Sequence, residues 1–142
     1  MSRSPDMDAL PRGIRNHNPG NIRKSADSWK GLIEYDPEYC QFFTPQHGIR
    51  AMARILINYE KLYGLNTVTQ IIWRWAPPDD GNATAIYADF VARRMGVNRN
   101  TPLNVKDNLV PLIKAMIEFE NGVQPYDVDT IAEGITMALS DT

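Results

Sequence analysis

Cysteine is almost absent from this chain: Cys40 is the only one among its 142 residues. No internal disulfide can form, and nothing in the composition demands an oxidising compartment. Histidine is nearly as scarce, with His17 and His47 alone. Two histidines without clustered cysteines argue against the common structural zinc sites, and neither a metal nor an organic cofactor is implied. Cys40 has only those histidines as a possible base, and the flanking Tyr39, Phe42 and Phe43 favour a buried structural thiol over a nucleophile. A basic excess is missing too. The net charge is −2 and the pI near 5.6, which argues against a nucleic-acid module, since such modules carry a basic patch or stripe. No apolar run is long enough to cross a bilayer, and the first ten residues are polar and acidic, so neither membrane insertion nor a signal peptide is expected. Internal repeats and low-complexity segments are absent as well.

What is present suits one globular domain with its own core. Charge is unevenly spread: through Gly64 there are nine Lys or Arg against seven Asp or Glu, and beyond it six against ten. An anionic polymer would prefer the first part, weakly. Residues 1–11 read as a flexible N-terminal segment and residues 12–142 as a single domain. Residues 12–44 are short, polar, aromatic and rich in turn signals. Asn18-Pro19-Gly20-Asn21 is the strongest, with Pro second and Gly third as in a type II turn. The segments around Ile22, Leu32-Ile33 and Gln41-Phe42-Phe43 then read as short strands of a small antiparallel sheet.

From residue 45 onward the pattern is helical. Ile49, Met52, Ala53, Leu56 and Tyr59 make one apolar face that ends near Tyr63-Gly64, and Asn66-Thr67 opens a second helix stopped by Pro77-Pro78. Asn82 is the expected cap of a third helix, which carries Ile86, Tyr87, Phe90 and Val91 and ends at Gly96. Asp107 or Asn108 opens a fourth, and Asp127 caps a last one presenting Val128, Ile131, Ile135 and Leu139. The expected architecture is α+β and mostly α: a helical lobe over residues 45–142, a small N-terminal antiparallel β lobe over residues 12–44, and a cleft where they meet.

The residue that stands out chemically is Glu120. Counting by threes and fours from Leu109 gives Ile113, Met116, Ile117 and then Glu120, so this carboxylate continues the buried stripe while Glu118 points away, four residues after Lys114. Burial raises a carboxyl pKa, and the partial negative charge at a helix C-terminus acts in the same direction. A carboxylic acid kept neutral at the edge of a cleft is a general acid. The alternative is a last-turn glutamate leaning out to water beside an ordinary Asn121-Gly122 C-cap.

The stretch Arg12-Gly13-Ile14-Arg15-Asn16-His17-Asn18-Pro19-Gly20-Asn21-Ile22-Arg23 is followed by Trp29-Lys30-Gly31 and Phe43-Thr44-Pro45-Gln46-His47-Gly48. With Trp75-Ala76-Pro77-Pro78 and Glu120-Asn121-Gly122-Val123-Gln124-Pro125-Tyr126, these motifs resemble a family of phage-encoded virion and lysis-associated proteins. A more distant likeness is to lysozyme-like peptidoglycan glycosidases, a class that includes endolysins and lytic transglycosylases. In those, a helix ends in a catalytic Glu followed by a small residue and Gly, and an Asn-rich segment, a Trp-x-Gly and a Phe-rich strand come next. Residues 113–122 are similar to that helix. Residues 16–22, Trp29-Lys30-Gly31 and Phe42-Phe43 are similar to the three later elements, in rotated order. The resemblance implies a lysozyme-like helical bundle that is circularly permuted, a rearrangement chains tolerate where termini meet at the surface.

The resemblance further implies an enzyme, a muramidase or lytic transglycosylase that cleaves the bond between N-acetylated amino sugars of the bacterial cell wall, with Glu120 as general acid. An inverting hydrolase needs a second carboxylate about 6.5–9.5 Å away to activate water. Glu34, Asp36 and Asp27 are the candidates, each also readable as a solvated turn residue. A transglycosylase needs Glu120 alone, because the muramic acid C6 hydroxyl attacks and leaves an anhydro sugar. Asn18, Gly20 and Asn21 would bind substrate at the cleft edge, unless turn chemistry alone explains them. Tyr87 and Tyr126 would orient Glu120 or bind sugar; core packing for Tyr87 and a loop position for Tyr126 are the alternatives. Trp29, Trp73 and Trp75 can stack on sugar rings, with helical core as the competing reading of Trp73 and Trp75. Expected partners are peptidoglycan glycan strands and other virion or lysis proteins. The expected location is the host cytoplasm before release to the periplasm and cell wall, or the virion. The rival class is a non-catalytic virion structural or wall-binding protein on the same scaffold, and an effector of bacterial competition using the same chemistry is a third.

Overall fold

The computed structural model describes residues 10–33 and 36–140. Most of the segment expected to be flexible, and the candidate Glu34, therefore lie outside the described residues. In chain order the elements are α1 (Arg12–Arg15), β1 (Leu32–Ile33), β2 (Gln41–Phe42), α2 (Pro45–Tyr63), α3 (Val68–Trp75), α4 (Thr84–Met95), α5 (Leu109–Asn121) and α6 (Val128–Ser140). Short 3₁₀ turns lie at Pro78–Asp80 and Lys106–Asn108. The class is mostly helical with a small antiparallel sheet, in which Leu32 faces Phe42 and Ile33 faces Gln41. The segment around Ile22, expected as a third strand, contributes only an isolated antiparallel bridge between Arg23 and Tyr39.

Local chemistry accounts for most helix ends. The Thr44 side chain accepts from the His47 amide, Pro45 occupies the first turn of α2, and Gly64 closes the helix at φ 68°. Thr67 and Gln70 form a reciprocal capping box at α3, which ends before Pro77-Pro78. Asp127 accepts from the Thr130 amide at 2.8 Å at the start of α6. Three further expectations need correction. Asn82 does not cap α4; its amide donates to the Pro77 carbonyl, and Ala83 precedes the helix without a side-chain cap. On α6 the buried residues are Ile131, Gly134, Ile135 and Ala138, while Val128 and Leu139 are exposed. Gly134 is part of that face because a Cβ there would sit 2.6 Å from Ile49 Cγ2, so only glycine lets α6 lie this close to α2.

The third correction concerns Asn18-Pro19-Gly20-Asn21. The turn closes through the Asn21 amide and the Asn18 carbonyl at 3.0 Å, but it is not type II. Positive φ falls on His17 and Asn21, at 51° and 52°, and not on Gly20. Gly20 is needed for proximity: a Cβ there would lie 2.8 Å from both Met52 Cγ and Trp75 Cζ2.

The core is centred on α2, with Ile49, Met52 and Leu56 packed against Ile71 and Ile72 of α3, Leu112, Ile113, Met116 and Ile117 of α5, and Ile131 of α6. Each such side chain contributes about 1.5–3 kcal/mol on full burial. A satellite cluster of Cys40, Phe42 and Ala51, with Trp29 and Leu32 against it, seats the β lobe on α2. Cys40 is buried, and that burial raises its thiol pKa, in keeping with a structural thiol.

Candidate active site

Glu120 lies in the last turn of α5, where the helix end is tied to the β lobe. Asn121 donates both to the Ile117 carbonyl at 2.9 Å and to the Pro19 carbonyl at 2.8 Å, and Gly122 closes the helix at φ 74°. Glu118, on the other side of the helix, forms a two-pronged pair with Arg94 at 3.0 Å. Glu120 instead turns inward. Its Oε1 accepts from Asn21 Nδ2 at 3.0 Å and its Oε2 from Trp75 Nε1 at 3.2 Å.

Tyr87 of α4 completes the surroundings. Its buried hydroxyl has no hydrogen bond of good geometry, yet it is near enough to Glu120 to couple to it. Burial, with the Glu120 charge adding to it, holds the phenol well above its ordinary pKa, so Tyr87 stays a neutral hydroxyl. Desolvation raises the Glu120 pKa, and the interactions with Asn21, Tyr87 and Trp75 act against that rise. Burial outweighs these three neutral groups.

The carboxyl borders a cleft of about 300 Å³ between the lobes, lined on the β side by Gly20, Asn21, Ile22, Arg23 and Tyr39 and on the helical side by Ile55, Tyr59, Trp75, Ala76, Asp80 and Asn82. A second cavity of about 250 Å³ is lined in part by Pro11, Arg12, Gly13 and Asn121. Asn21, Tyr39 and Glu120 line both, so these three side chains form a wall shared by the two spaces. The Arg12 and Arg23 guanidinium groups both lie over the Tyr39 ring, 4.7 and 5.1 Å from its centroid.

The expected site residues separate accordingly. Gly20 and Asn21 line the cleft with Glu120, and Asn21 uses its amide on the acid. Asn18 does not reach the cleft: it is fully buried, donates to the Ile22 and Cys40 carbonyls and accepts from the Ile22 amide, each at 2.9 Å. Its role is to stitch the turn to the chain entering β2. Tyr87 sits behind Glu120 in the core, stacked on Phe119. Tyr126 lines neither space; it packs against the core, where burial pushes its phenol up to about 12. Trp29 belongs to the satellite cluster, and Trp73 is exposed away from the cleft.

Of the other carboxylates, Asp36 is held by Arg12 through two bonds, the shorter 2.6 Å, with a third from Asn16. Arg12 in particular keeps it ionised far below the usual carboxylate range, so it is a structural anchor. Asp27 is exposed and bonded to Ser25. Among the described residues the second carboxylate lining the cleft is Asp80, which sequence reading passed over because a Pro-Pro-Asp-Asp turn carries no sign of facing a groove. Tyr39 was also missed. Trp75 had a signal, the Trp75-Ala76-Pro77-Pro78 motif, but its spacing read equally well as core.

No family model matches this chain. It is similar to a bacteriophage protein, and the similarity is extensive enough to define the family. That relative is Protein P5 of Pseudoalteromonas phage PM2, 46% identical over 129 residues, which cover 87% of this chain and 79% of the phage protein. The chain belongs to the same phage protein family.

Proposed function

We propose that this protein is a peptidoglycan-degrading glycosidase in which Glu120 protonates the glycosidic oxygen between N-acetylated amino sugars. The observation that carries the reading is the Glu120 carboxyl itself: raised by burial, hydrogen-bonded by the neutral Asn21 and Trp75 side chains, and lining the cleft between the lobes. A polymer lying in that cleft would bring a bridging oxygen to the acid, as proton transfer requires. The acid-bearing helix beside a small β lobe supports a lysozyme-like scaffold, and its position after that lobe supports the circular permutation. Tyr39, Trp75 and Tyr59 offer aromatic wall to sugar rings, and Arg23 a charge to anionic wall material. Glycan strands are the proposed partner, with delivery from the host cytoplasm at lysis or from the virion.

A second reading has an observation of its own. Both oxygens of Glu120 receive bonds from residues distant in sequence, which is also how a carboxylate ties two lobes together in a non-catalytic virion or wall-binding protein.

Digestion of purified peptidoglycan, with mass spectrometry of the released fragments, separates the two. The wild type is expected to release muropeptides, Glu120→Gln to release at least about a thousandfold less, and Glu118→Gln, on the opposite face, to match the wild type. Anhydro ends indicate a transglycosylase, and reducing ends a hydrolase that would direct attention to Asp80. No release by the wild type across wall types and pH values rejects the enzyme in favour of the structural protein.

A further inference from the structure

We propose that Trp75 is a positioning residue for Glu120, whose indole N–H aims the carboxyl into the cleft and stabilises the carboxylate left when the proton has moved to the leaving oxygen. The proposal rests on the reading of Glu120 as the general acid. Its basis is that Trp75 has little freedom to do anything else. The residue ends α3, with the Pro77-Pro78 stop just beyond it. Its ring is wedged against Gly20, where a Cβ would come within 2.8 Å of Cζ2. The Tyr59 ring meets it edge-on, with centroids 6.5 Å apart. The one polar atom of that fixed ring, Nε1, points at Glu120 Oε2 from 3.2 Å.

An indole N–H is a donor and never an acceptor. It therefore bonds an ionised carboxylate more strongly than a protonated one. During proton transfer the bond between Glu120 and its proton breaks, the proton joins the glycosidic oxygen, and the sugar C–O bond opens. The negative charge left on Glu120 then meets a donor that is already in place and needs no reorganisation. Asn21 supplies the same kind of bond at Oε1, but its side chain also carries an acceptor. The titratable and charged groups nearest the acid are Tyr87 from α4, Tyr59 from α2, Arg12 from α1, Tyr39 and Arg23 from the β lobe, and Asp80 from the turn after α3. None of them makes a hydrogen bond of good geometry to the carboxyl, so the indole and the Asn21 amide set its orientation.

The test is titration of the full chain by NMR, following the Glu120 side-chain carboxyl, assigned with Glu120→Gln, and the Trp75 indole N–H, assigned with Trp75→Phe. In the wild type the Trp75 indole resonance is expected to shift with the same midpoint as Glu120, and to stay still with pH in Glu120→Gln. Trp75→Phe, which keeps an aromatic ring and removes the donor, is expected to raise the Glu120 midpoint by about one pH unit, a tenfold effect. On peptidoglycan it should lower kcat about tenfold, leave KM within about twofold, and move the alkaline limb of the pH profile upward by the same unit. An indole resonance that ignores the Glu120 titration overturns the proposal, using the wild type alone even if Trp75→Phe fails to fold. An unmoved midpoint in a folded Trp75→Phe overturns it too. A wild type that releases no glycan sinks the glycosidase reading instead, and the titration still decides whether Trp75 governs Glu120.

Discussion

Asn21 and Glu120 are 99 residues apart in the chain, yet Asn21 Nδ2 lies 3.0 Å from Glu120 Oε1. This bond joins the two lobes at the point where the proposed chemistry occurs. Asn21 also holds a backbone φ of 52°, a conformation that asparagine tolerates better than other residues with a Cβ. One residue thus supplies both a local backbone shape and a distant hydrogen bond.

Those two contributions can be separated. Asn21→Gly keeps the backbone and loses the amide, so its stability in urea should fall within about 1 kcal/mol of the wild type while glycan release drops about tenfold. Asn21→Ala loses both and should be about 1 kcal/mol less stable than the glycine variant. Alanine equal to or better than glycine would show that the left-handed backbone has no energetic weight here.

Gly20 is required by proximity, because a Cβ would meet Met52 on one side and the Trp75 ring on the other. Gly20→Ala should therefore cost about 1–3 kcal/mol by overpacking, and activity should fall further than stability alone explains, since the ring pushed aside is the one bonded to Glu120. Thermal melts and peptidoglycan assays on the same preparation measure both. Wild-type values in each would mean that the contact yields at no cost.

Asn18 is a test of a purely structural asparagine. Asn18→Ala leaves the Ile22 amide and two carbonyls without their partner and should cost at least about 2 kcal/mol. Asn18→Asp restores the acceptor but not the donors and buries a charge, so it should be no better. If either variant is as stable as the wild type in urea, water reaches these groups and the turn is not sealed.

Glu120 and Asp36 give opposite pH dependences of stability. The folded state raises the Glu120 pKa, so the native chain binds more protons than the unfolded chain above about pH 4.3, and stability falls as pH rises from there through the native pKa. Asp36 is shifted down, chiefly by Arg12; its contribution is present above its unfolded pKa of about 3.9 and is lost as pH falls toward the lower native value. In urea unfolding from pH 3 to 8, Glu120→Gln should gain on the wild type as pH rises, whatever its offset, and Asp36→Asn should lose part of the acid-side decline. Parallel curves for wild type and Glu120→Gln would mean that the carboxyl is not desolvated.

Much of this protein is legible in local sequence. The 3.6-residue periodicity defines α2 and α5, Thr67 with Gln70 starts α3, Pro77-Pro78 stops it, and Gly64, Gly96 and Gly122 close three helices. The inward course of Glu120 comes from the same counting, because a side chain three residues after Ile117 and four after Met116 must share their face. Where local rules failed, another contact had taken over, near in sequence at Asn82 and across the fold at Gly20. The cap expected at Asn82 gave way to its bond with the Pro77 carbonyl, and Gly20, assigned to a turn conformation, answers to Met52 and Trp75.

The sequence by itself determined the helices that follow residue 44, their order after a small β lobe, and a carboxyl on the buried stripe of α5, because periodicity and capping depend on residues within a few positions of one another. The short α1 inside that lobe was not legible. Only the tertiary structure decided what meets that carboxyl. Asn21, Trp75 and Tyr87 reach it from three other parts of the chain, Asp36 is taken out of play by Arg12, and Asp80 lines the cleft. Such juxtapositions depend on how the lobes pack, and packing sums weak contacts over the whole core. No short window of sequence contains that sum.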